Sequence, residues 1–165
     1  MAKIIVFEGI DGSGKTTQIE MLTDYLTCKG YDVISESWFN NDAARKLLEN
    51  YSRSEYGNGK GGALIIACEF AIRFAQIKRR FDKNVVLLFD RYVYTAFVRD
   101  FLRGTPKSLL RKLYDFSVIP DLIFYFDISP EQSLERIRNK RGLSYYECGM
   151  DLYSNISYEK FKKTI

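Results

Sequence analysis

The chain lacks histidine altogether among its 165 residues. Histidine is the commonest general base and metal ligand in proteins, so its absence leaves carboxylates, arginine, lysine and a bound cation to carry any chemistry. Cysteine is scarce, since Cys28, Cys68 and Cys148 form no C-x-x-C pair and are odd in number. This pattern indicates neither a disulfide framework nor a zinc site, and we expect reduced thiols in a cytoplasmic protein.

Long hydrophobic runs and a strong net charge are also missing. No apolar run approaches the roughly 18 residues of a membrane span, and a strand-like run already begins at Lys3, so we expect no signal peptide and no membrane partner. The net charge of +4 suits an anionic substrate as well as nucleic acid. Because the basic residues are spread along the chain and match no recognition module, we expect no nucleic-acid partner. The 46% of hydrophobic residues predict a single domain over residues 1–165.

One glycine-rich stretch matches the phosphate-binding pattern G-x-x-x-x-G-K-[ST], with the sequence Gly9-Ile10-Asp11-Gly12-Ser13-Gly14-Lys15-Thr16. It follows the strand-like run Lys3 to Glu8 and precedes a helical spacing from Thr17 to Lys29, which is the context that the motif requires. Backbone N–H groups of such a loop bind phosphate oxygens at the positive end of a helix. We therefore expect residues 9–17 to bind a nucleoside triphosphate, with Lys15 on the outer phosphates and the Thr16 hydroxyl on Mg²⁺.

Strand-like runs alternate with stretches of helical periodicity. These runs are Lys3 to Glu8, Tyr31 to Ser35, Asn84 to Asp90 and Leu122 to Asp127. The alternation predicts an α/β fold, here a three-layer P-loop fold with a central parallel sheet, helices on both faces and a lid segment. Residues 85–89 and 122–126 are apolar throughout, which predicts that both strands lie at the centre of the sheet.

Two other segments have no clear period. The stretch Ser52 to Gly62 contains four glycines, and we expect it to be a mobile loop near a ligand. Glu131 to Arg141 reads as a basic helix, and Gly142 to Ser157 follows it without periodicity. We expect residues 138–157 to form a lid that closes over the substrates and excludes water.

Two aspartates follow apolar strands. Asp90 comes directly after residues 85–89, so we expect it at the carboxyl end of a central strand. If this strand neighbours the first one, Asp90 lies beside the phosphate loop, where it holds Mg²⁺ directly or through water. Asp127 ends the run 122–126, but the chain turns at once into a helix, which favours a capping role.

At four places the sequence resembles the thymidylate kinases, and the match runs through most of the chain. The matching stretches are FEGIDGSGKTTQ, LFDRYVYTAF, PDLIFYFDISPEQSLERIR and, more loosely, YYECGMDL, the last of which is most similar to the archaeal branch. The resemblance implies an enzyme that transfers the γ-phosphoryl group of ATP to a nucleoside monophosphate, by default dTMP, with Mg²⁺. It also implies a homodimer.

The resemblance further implies roles for single residues. Asp11 is expected near the sugar hydroxyl of the acceptor nucleotide, and Arg91 at its phosphate. Arg73, with Phe70 nearby, resembles the base-contacting arginine of the family. The other acceptor-site candidates are Arg45, Tyr92 and Asp100.

Phosphoryl transfer needs positioning and neutralisation of charge on the transferred group, which a lysine, Mg²⁺ and arginines supply without histidine. Gly12 has no side chain, so the phosphate loop cannot provide an arginine there. The chain therefore resembles family members that supply it from the lid, and the candidates are Arg136, Arg138 and Arg141. The catalytic set expected is Lys15, Asp90, Arg138 and Arg141.

Departures from the family concern the acceptor. Glu36-Ser37-Trp38-Phe39 replaces the usual turn after the second strand, Glu69 stands where an aromatic residue is common, and Asp100 stands near an expected glutamine. A carboxylate in place of an amide can redirect the base preference. The chain is also shorter than most members, so either it is truncated or its ATP site is less enclosed. The alternatives left open are a kinase for another nucleotide, nucleoside or small molecule, and a nucleotide-binding protein without phosphoryl transfer.

Overall fold

The computed structural model describes residues 2–55, 57–82 and 84–140, which form four strands and six helices. In chain order these are β1 (Lys3–Gly9), α1 (Lys15–Cys28), β2 (Asp32–Ser37), α2 (Asp42–Arg53), α3 (Gly59–Lys78), β3 (Val85–Asp90), α4 (Val93–Leu102), α5 (Lys107–Leu113), β4 (Leu122–Phe126) and α6 (Pro130–Lys140). The strands form one parallel sheet in the order β2-β3-β1-β4. The predicted α/β fold with a parallel sheet is confirmed.

Strand β3 explains why helices cover both faces of the sheet. Successive side chains of a strand point to opposite faces, and in β3 both sets are apolar. Leu87 and Phe89 pack into the larger core, which contains Phe70 and Phe74 of α3. Val86 and Leu88 pack on the other face into a smaller core that contains Ile19 of α1.

The register between β1 and β3 positions the functional residues. Lys3 pairs with Val86 and Phe7 pairs with Asp90, so the two strands end at the same edge of the sheet. The loop after β1 and the residues after β3 therefore emerge side by side, as expected for ligand sites of open parallel sheets.

The prediction that β4 lies at the centre of the sheet was wrong. Among the described residues β4 pairs only with β1, and residues 122–125 are exposed, up to 70% for Tyr125. An apolar run indicates that both faces of a strand pack against other elements. It does not indicate whether the strand has a neighbour on one side or on both sides in the sheet. Apolarity alone therefore could not distinguish β4 from the inner strand β3.

The glycine-rich stretch Ser52 to Gly62 is a loop only between α2 and α3, and both of its ends are helical. Helix α2 extends to Arg53, and α3 begins at Gly59. The side chain of Asn58 accepts a hydrogen bond from the Gly61 N–H at 2.9 Å and so caps α3. This capping signal outweighs the low helix propensity of the glycines.

Within the described ranges, no helix combines the length and the apolar character needed to cross a membrane.

Candidate active site

The phosphate loop turns directly into α1. Gly14, the residue before the helix, has φ 99°, a left-handed conformation that favours glycine. Lys15 folds back under the loop, where its ammonium donates to the Ile10 carbonyl at 2.9 Å. Burial, and secondarily the positive charge of Arg91, lowers the pKa of Lys15 to about 8. A negatively charged phosphate at this position would favour the charged form of the lysine.

An oxygen pair lies beside the loop. The Thr16 hydroxyl donates to Oδ2 of Asp90 at 3.1 Å, which joins the start of α1 to the end of β3. Hydroxyl and carboxylate oxygens are the hard ligands that Mg²⁺ prefers, with phosphates and waters completing its shell. Among the described residues there is no group of three or more Asp, Glu or Cys side chains suited to a metal, so a cation here would depend on ligands from the substrate.

Two arginines hold the carboxylate of Asp11. Arg91 donates to Oδ1 at 2.6 Å, and the guanidinium of Arg99 lies 3.7 Å from Oδ2. The backbone of Arg91 has φ 67°, which is unusual for a residue other than glycine, and its N–H donates to the Phe7 carbonyl at 2.9 Å. This strained conformation directs the side chain towards the phosphate loop. Strained backbone conformations of this kind are often found at functional sites.

Glu8 supports the same corner from inside the fold. Its buried carboxylate accepts hydrogen bonds from the Tyr92 N–H at 2.9 Å and from the Thr95 hydroxyl at 2.8 Å. Burial raises the pKa of Glu8, and the hydrogen bonds from Thr95 and Tyr92 oppose that rise. Glu8 thus ties the first turn of α4 to β1, which positions Arg91 between them.

A cavity of about 830 Å³ extends from the phosphate loop across the ends of β1 and β3. This volume is within the range of small-molecule sites. The predicted site residues that line it are Asp11, Gly12, Gly14, Lys15, Thr16, Thr17, Arg45, Asp90, Arg91 and Asp100. Gly9, Ile10 and Ser13 belong to the loop but do not line this cavity. The motif and the residues after β3 therefore form one site.

Two of the predicted acceptor residues do not reach the cavity. Phe70 is fully buried in the aromatic core, where it stacks on Phe74 and meets Tyr92 edge to face. Tyr92 is also fully buried, and its hydroxyl donates to the Val118 carbonyl at 3.0 Å. Both rings stabilise the core, so neither is available to stack on a base.

Arg73 does not line the cavity either. Its guanidinium donates to Glu69 at 2.8 Å, to Glu36 at 2.7 Å and to the Trp38 carbonyl at 2.9 Å. Burial lowers the pKa of Arg73, but the bonds to Glu69 and Glu36 outweigh it and raise the pKa. Arg73 therefore links α3 to β2 and the segment after it. Its two carboxylate partners, Glu69 and Glu36, are among the residues at which the sequence departs from the family.

Helix α6 packs directly on the phosphate loop. The Ser133 hydroxyl donates to the Asp11 carbonyl at 2.6 Å, and the Arg136 guanidinium donates to the Gly12 carbonyl at 3.1 Å. Arg136 lines the cavity, whereas Arg138 is exposed and does not. Arg141 and most of the predicted lid, residues 141–157, lie outside the described residues.

Arg99 and Arg103 were not predicted from the sequence, yet both line the cavity. They lie four residues apart, so the end of α4 and the turn after it present them on the same side. The signal in the sequence is the spacing of these two arginines by one helical turn, shortly after Asp90. It does not stand out, because arginines at such spacing are common on helix surfaces.

Away from the phosphate loop, Trp38, Phe39, Leu48, Ala63 and Ile66 give the cavity apolar lining. Polar residues, which include Glu49, Ser52, Asn58 and Asp100, line it as well. Asp100 is only 2% exposed, and its Oδ2 has no hydrogen-bond partner. Burial raises the pKa of Asp100 to about 7, although Arg103 and Arg99 oppose that rise.

Comparisons with known proteins agree with this geometry. Residues 7–164 match the family model described as thymidylate kinase. "Probable thymidylate kinase 2" of Saccharolobus solfataricus is 33% identical over 159 residues, covering 95% of this chain and 74% of that protein. "Probable thymidylate kinase" of Methanococcus aeolicus is 32% identical, covering 89% of this chain and 72% of that protein. The crystal structure of thymidylate kinase from Ehrlichia chaffeensis superimposes with a TM-score of 0.66 at 25% identity, covering 84% of this chain and 83% of that chain.

Proposed function

The chain belongs to the thymidylate kinase family, and we infer from this that it transfers the γ-phosphoryl group of ATP to dTMP, giving dTDP and ADP. One observation supports this function best: Lys15 and the Thr16–Asp90 pair share a single cavity with the Asp11–Arg91 pair. Phosphoryl transfer between two nucleotides requires a phosphate-binding loop and cationic acceptor residues in one cavity. Catalysis of this transfer consists mainly of positioning the two substrates and neutralising their charge.

We propose that residues 9–17 bind the phosphates of ATP. Their backbone N–H groups surround the start of α1, where the helix dipole favours negative charge. Lys15, whose ammonium now donates to the Ile10 carbonyl of the same loop, would exchange this bond for one to a phosphate oxygen.

Thr16 and Asp90 fit a divalent cation. Their oxygens are 3.1 Å apart at the edge of the sheet and line the cavity. We propose that they would hold Mg²⁺, which would supply positive charge to offset that of the ATP phosphates. The residues themselves keep the two oxygen ligands close to the phosphate loop.

For the acceptor, we propose that Arg91 and Arg45 bind the phosphate of dTMP and that Asp11 lies near its sugar. Arg45 lines the cavity and packs its guanidinium over the Phe39 ring at 5.4 Å. Arg99, through its ion pair with Asp11, keeps that carboxylate in position. Asp100 completes the acceptor site at the base end.

We propose Arg136 as the arginine that neutralises charge on the transferred phosphoryl group, because it lines the cavity and contacts the Gly12 carbonyl. Arg138 and Arg141 remain predictions, and so does the lid over residues 138–157.

We further propose a homodimer in the cytoplasm. Helix α3 exposes Leu64, Cys68 and Ile72 at helical spacing, with Ile72 64% exposed, and a row of apolar side chains on a surface helix is typical of a protein interface. Exposed thiols at Cys28 and Cys68 support a reducing compartment. Sedimentation of the wild type and of Ile72→Lys tests the dimer.

The experiment that tests the function is an assay of ADP formation by the purified chain with Mg-ATP and each common nucleoside monophosphate. We expect dTMP to be phosphorylated, and the product to be identified as dTDP by chromatography. ATP binding without turnover of any acceptor would instead indicate a nucleotide-binding protein, and turnover only with an unphosphorylated nucleoside would indicate a nucleoside kinase.

A further inference from the structure

Helix α4 has no cap of its own. Tyr92, the residue before its first turn, makes no side-chain capping bond, and the first turn contains no acidic residue. The first N–H groups of a helix have no partner within the helix, and a side-chain oxygen or a negative charge normally satisfies them. Because Tyr92, Val93 and Thr95 are all buried, the partner has to come from another element of the protein.

Glu8, near the end of β1, supplies this partner. Its carboxylate is only 8% exposed, and it accepts the Tyr92 N–H through Oε1 at 2.9 Å and the Thr95 hydroxyl through Oε2 at 2.8 Å. Burial raises the pKa of Glu8, whereas the hydrogen bonds from Thr95 and Tyr92 and the charge of Arg91 oppose the rise. Both carboxylate oxygens therefore bind the first turn of α4, as an N-cap side chain does, although they come from a strand.

The same contacts fix the backbone of Arg91, which has φ 67°. A residue other than glycine keeps such a conformation only where its surroundings impose it. The peptide group before Arg91 is held because its N–H donates to the Phe7 carbonyl at 2.9 Å. The peptide group after Arg91 is held because its N–H, that of Tyr92, donates to Glu8. Two successive residues of β1 thus fix the two peptide groups on either side of Arg91.

This backbone conformation determines where the Arg91 guanidinium lies. The guanidinium lines the cavity and donates to Oδ1 of Asp11 at 2.6 Å. Glu8 is not among the residues that line this cavity, so its effect on an acceptor there must pass through Arg91. A side chain that is held in its binding position before the ligand arrives loses less conformational entropy on binding.

We propose that Glu8 is a positioning residue for the acceptor: its carboxylate caps α4 from β1 and holds Arg91 in the strained conformation that places the guanidinium at the acceptor phosphate. This inference rests on the proposed function, which assigns that phosphate to Arg91. Gly9, the first residue of the phosphate loop, directly follows Glu8. The end of β1 therefore serves both substrates, through the loop on one side and through Arg91 on the other.

The proposal is tested by calorimetry of dTMP and ATP binding to the full chain, together with kcat at saturating substrates. Glu8→Ala should weaken dTMP binding about tenfold, because Arg91 is then no longer held in position. ATP affinity and kcat should stay within about threefold of the wild type, since the phosphate loop keeps its own hydrogen bonds. Glu8→Gln keeps an oxygen for the Tyr92 N–H and should restore most of the dTMP affinity.

Thr95→Val is the second variant, and it decides the test if Glu8→Ala does not fold. It removes one donor to Glu8 at nearly constant size, so dTMP binding should weaken about threefold. Thr95→Ser keeps the hydroxyl and should bind dTMP as the wild type does. Thr105→Val is the matched control, because Thr105 is equally buried but its hydroxyl does not contact Glu8, and its dTMP affinity should not change.

A double-variant cycle separates positioning from general damage to the fold. If Glu8 acts through Arg91, adding Glu8→Ala to Arg91→Ala should leave KM for dTMP within about twofold of the single Arg91→Ala variant. A lower free energy of unfolding would leave these comparisons unchanged, because each binding measurement is made on the folded protein.

Three results would overturn the proposal: unchanged dTMP affinity in Glu8→Ala and Thr95→Val, equal weakening of ATP and dTMP binding, or losses that multiply in the double variant. If the wild type phosphorylates dTMP and any of these results is found, only this inference fails. If the wild type does not bind dTMP at all, the proposed function fails and this inference fails with it.

Discussion

The two ends of the cavity differ in how their polar groups are paired. At the phosphate end, Lys15, Thr16 and Asp11 each have a short hydrogen bond within the protein. At the end lined by Trp38 and Asp100, which we call the base end, Oδ2 of Asp100 is buried and has no hydrogen bond. Preorganised pairs suit a constant ligand group such as phosphate, whereas a buried carboxyl group without a partner is sensitive to pH. We therefore expect changes at the first end to lower the rate, and changes at the second to alter selectivity and pH dependence.

The largest effect is expected at the phosphate loop. Lys15→Ala removes the buried ammonium, and kcat should fall by about 10³-fold, because no other side chain of the loop carries positive charge to the phosphates. Steady-state kinetics with dTMP measure this loss. Lys29→Ala, at an exposed position directly after the opposite end of the same helix, is the control and should stay within about twofold of the wild type. A similar loss in both variants would contradict a specific role for the loop.

Arg91 lies at the phosphate end of the cavity, where we propose that it binds the phosphate of the acceptor. Arg91→Ala should lower kcat/KM for dTMP by about 100-fold, mainly through KM, since it removes a phosphate contact and releases Asp11. Arg91→Lys should restore only part of this loss in kcat/KM. A guanidinium binds Asp11 and a phosphate at the same time through N–H groups held in one plane, and an ammonium lacks this geometry. Arg80→Ala, an exposed arginine paired with Asp32, is the control. An unchanged KM for dTMP in Arg91→Ala would place the acceptor elsewhere.

Asp100 tests the base end through stability. Its pKa is about 7 in the folded chain against an ordinary value of 3.8, so the folded state holds more protons between these values and the free energy of unfolding falls as pH rises through that window. Asp100→Asn avoids this loss. Its stabilisation relative to wild type should be greater at pH 8 than at pH 5 by about 2.5 kcal/mol.

Denaturant unfolding of Asp100→Asn and wild type at the two pH values measures this difference. Asp115→Asn, which changes an exposed carboxylate, should show no such dependence. A stabilisation that is equal at both pH values would mean that Asp100 is ionised at no extra cost, and the contrast between the two ends would disappear.

The smallest effect is expected where α6 meets the phosphate loop. Arg136→Ala should lower kcat about tenfold, because Arg136 lines the cavity and contacts the Gly12 carbonyl, while Arg138→Ala should change kcat less than about twofold. Both substitutions lie on the exposed part of the same helix, so their stabilities should match. The reverse order of effects would return the catalytic role to Arg138.

The sequence predicted the phosphate end well, because its information is local. The pattern from Gly9 to Thr16 specifies a loop and helix start by itself, and Asp90 is positioned by the strand that it ends. The neighbouring position of β1 and β3 could not be predicted in this way, because it depends on the order of the strands in the sheet.

The base end was predicted poorly because it depends on contacts between distant segments. Nothing local indicates that Arg73 will meet both Glu69 and Glu36, which lie on α3 and β2. Phe70 has the helical spacing of a core residue as well as that of a ligand contact, and only packing decides between them. The exposed position of β4 is a similar case, since strand order is a property of the whole sheet.

Gly12 limits the order in which this site can change. A side chain at Gly12 would start 3.1 Å from the Ser133 carbonyl and 3.4 Å from Cβ of Arg136, on a backbone with φ 74° that disfavours any residue but glycine. An arginine at this position would therefore require a strained backbone and a shift of α6 by a few tenths of an ångström. The close packing of α6 on the loop thus makes a loop arginine costly for this chain, and a substitution that brought one in would be easier to accept after α6 had moved.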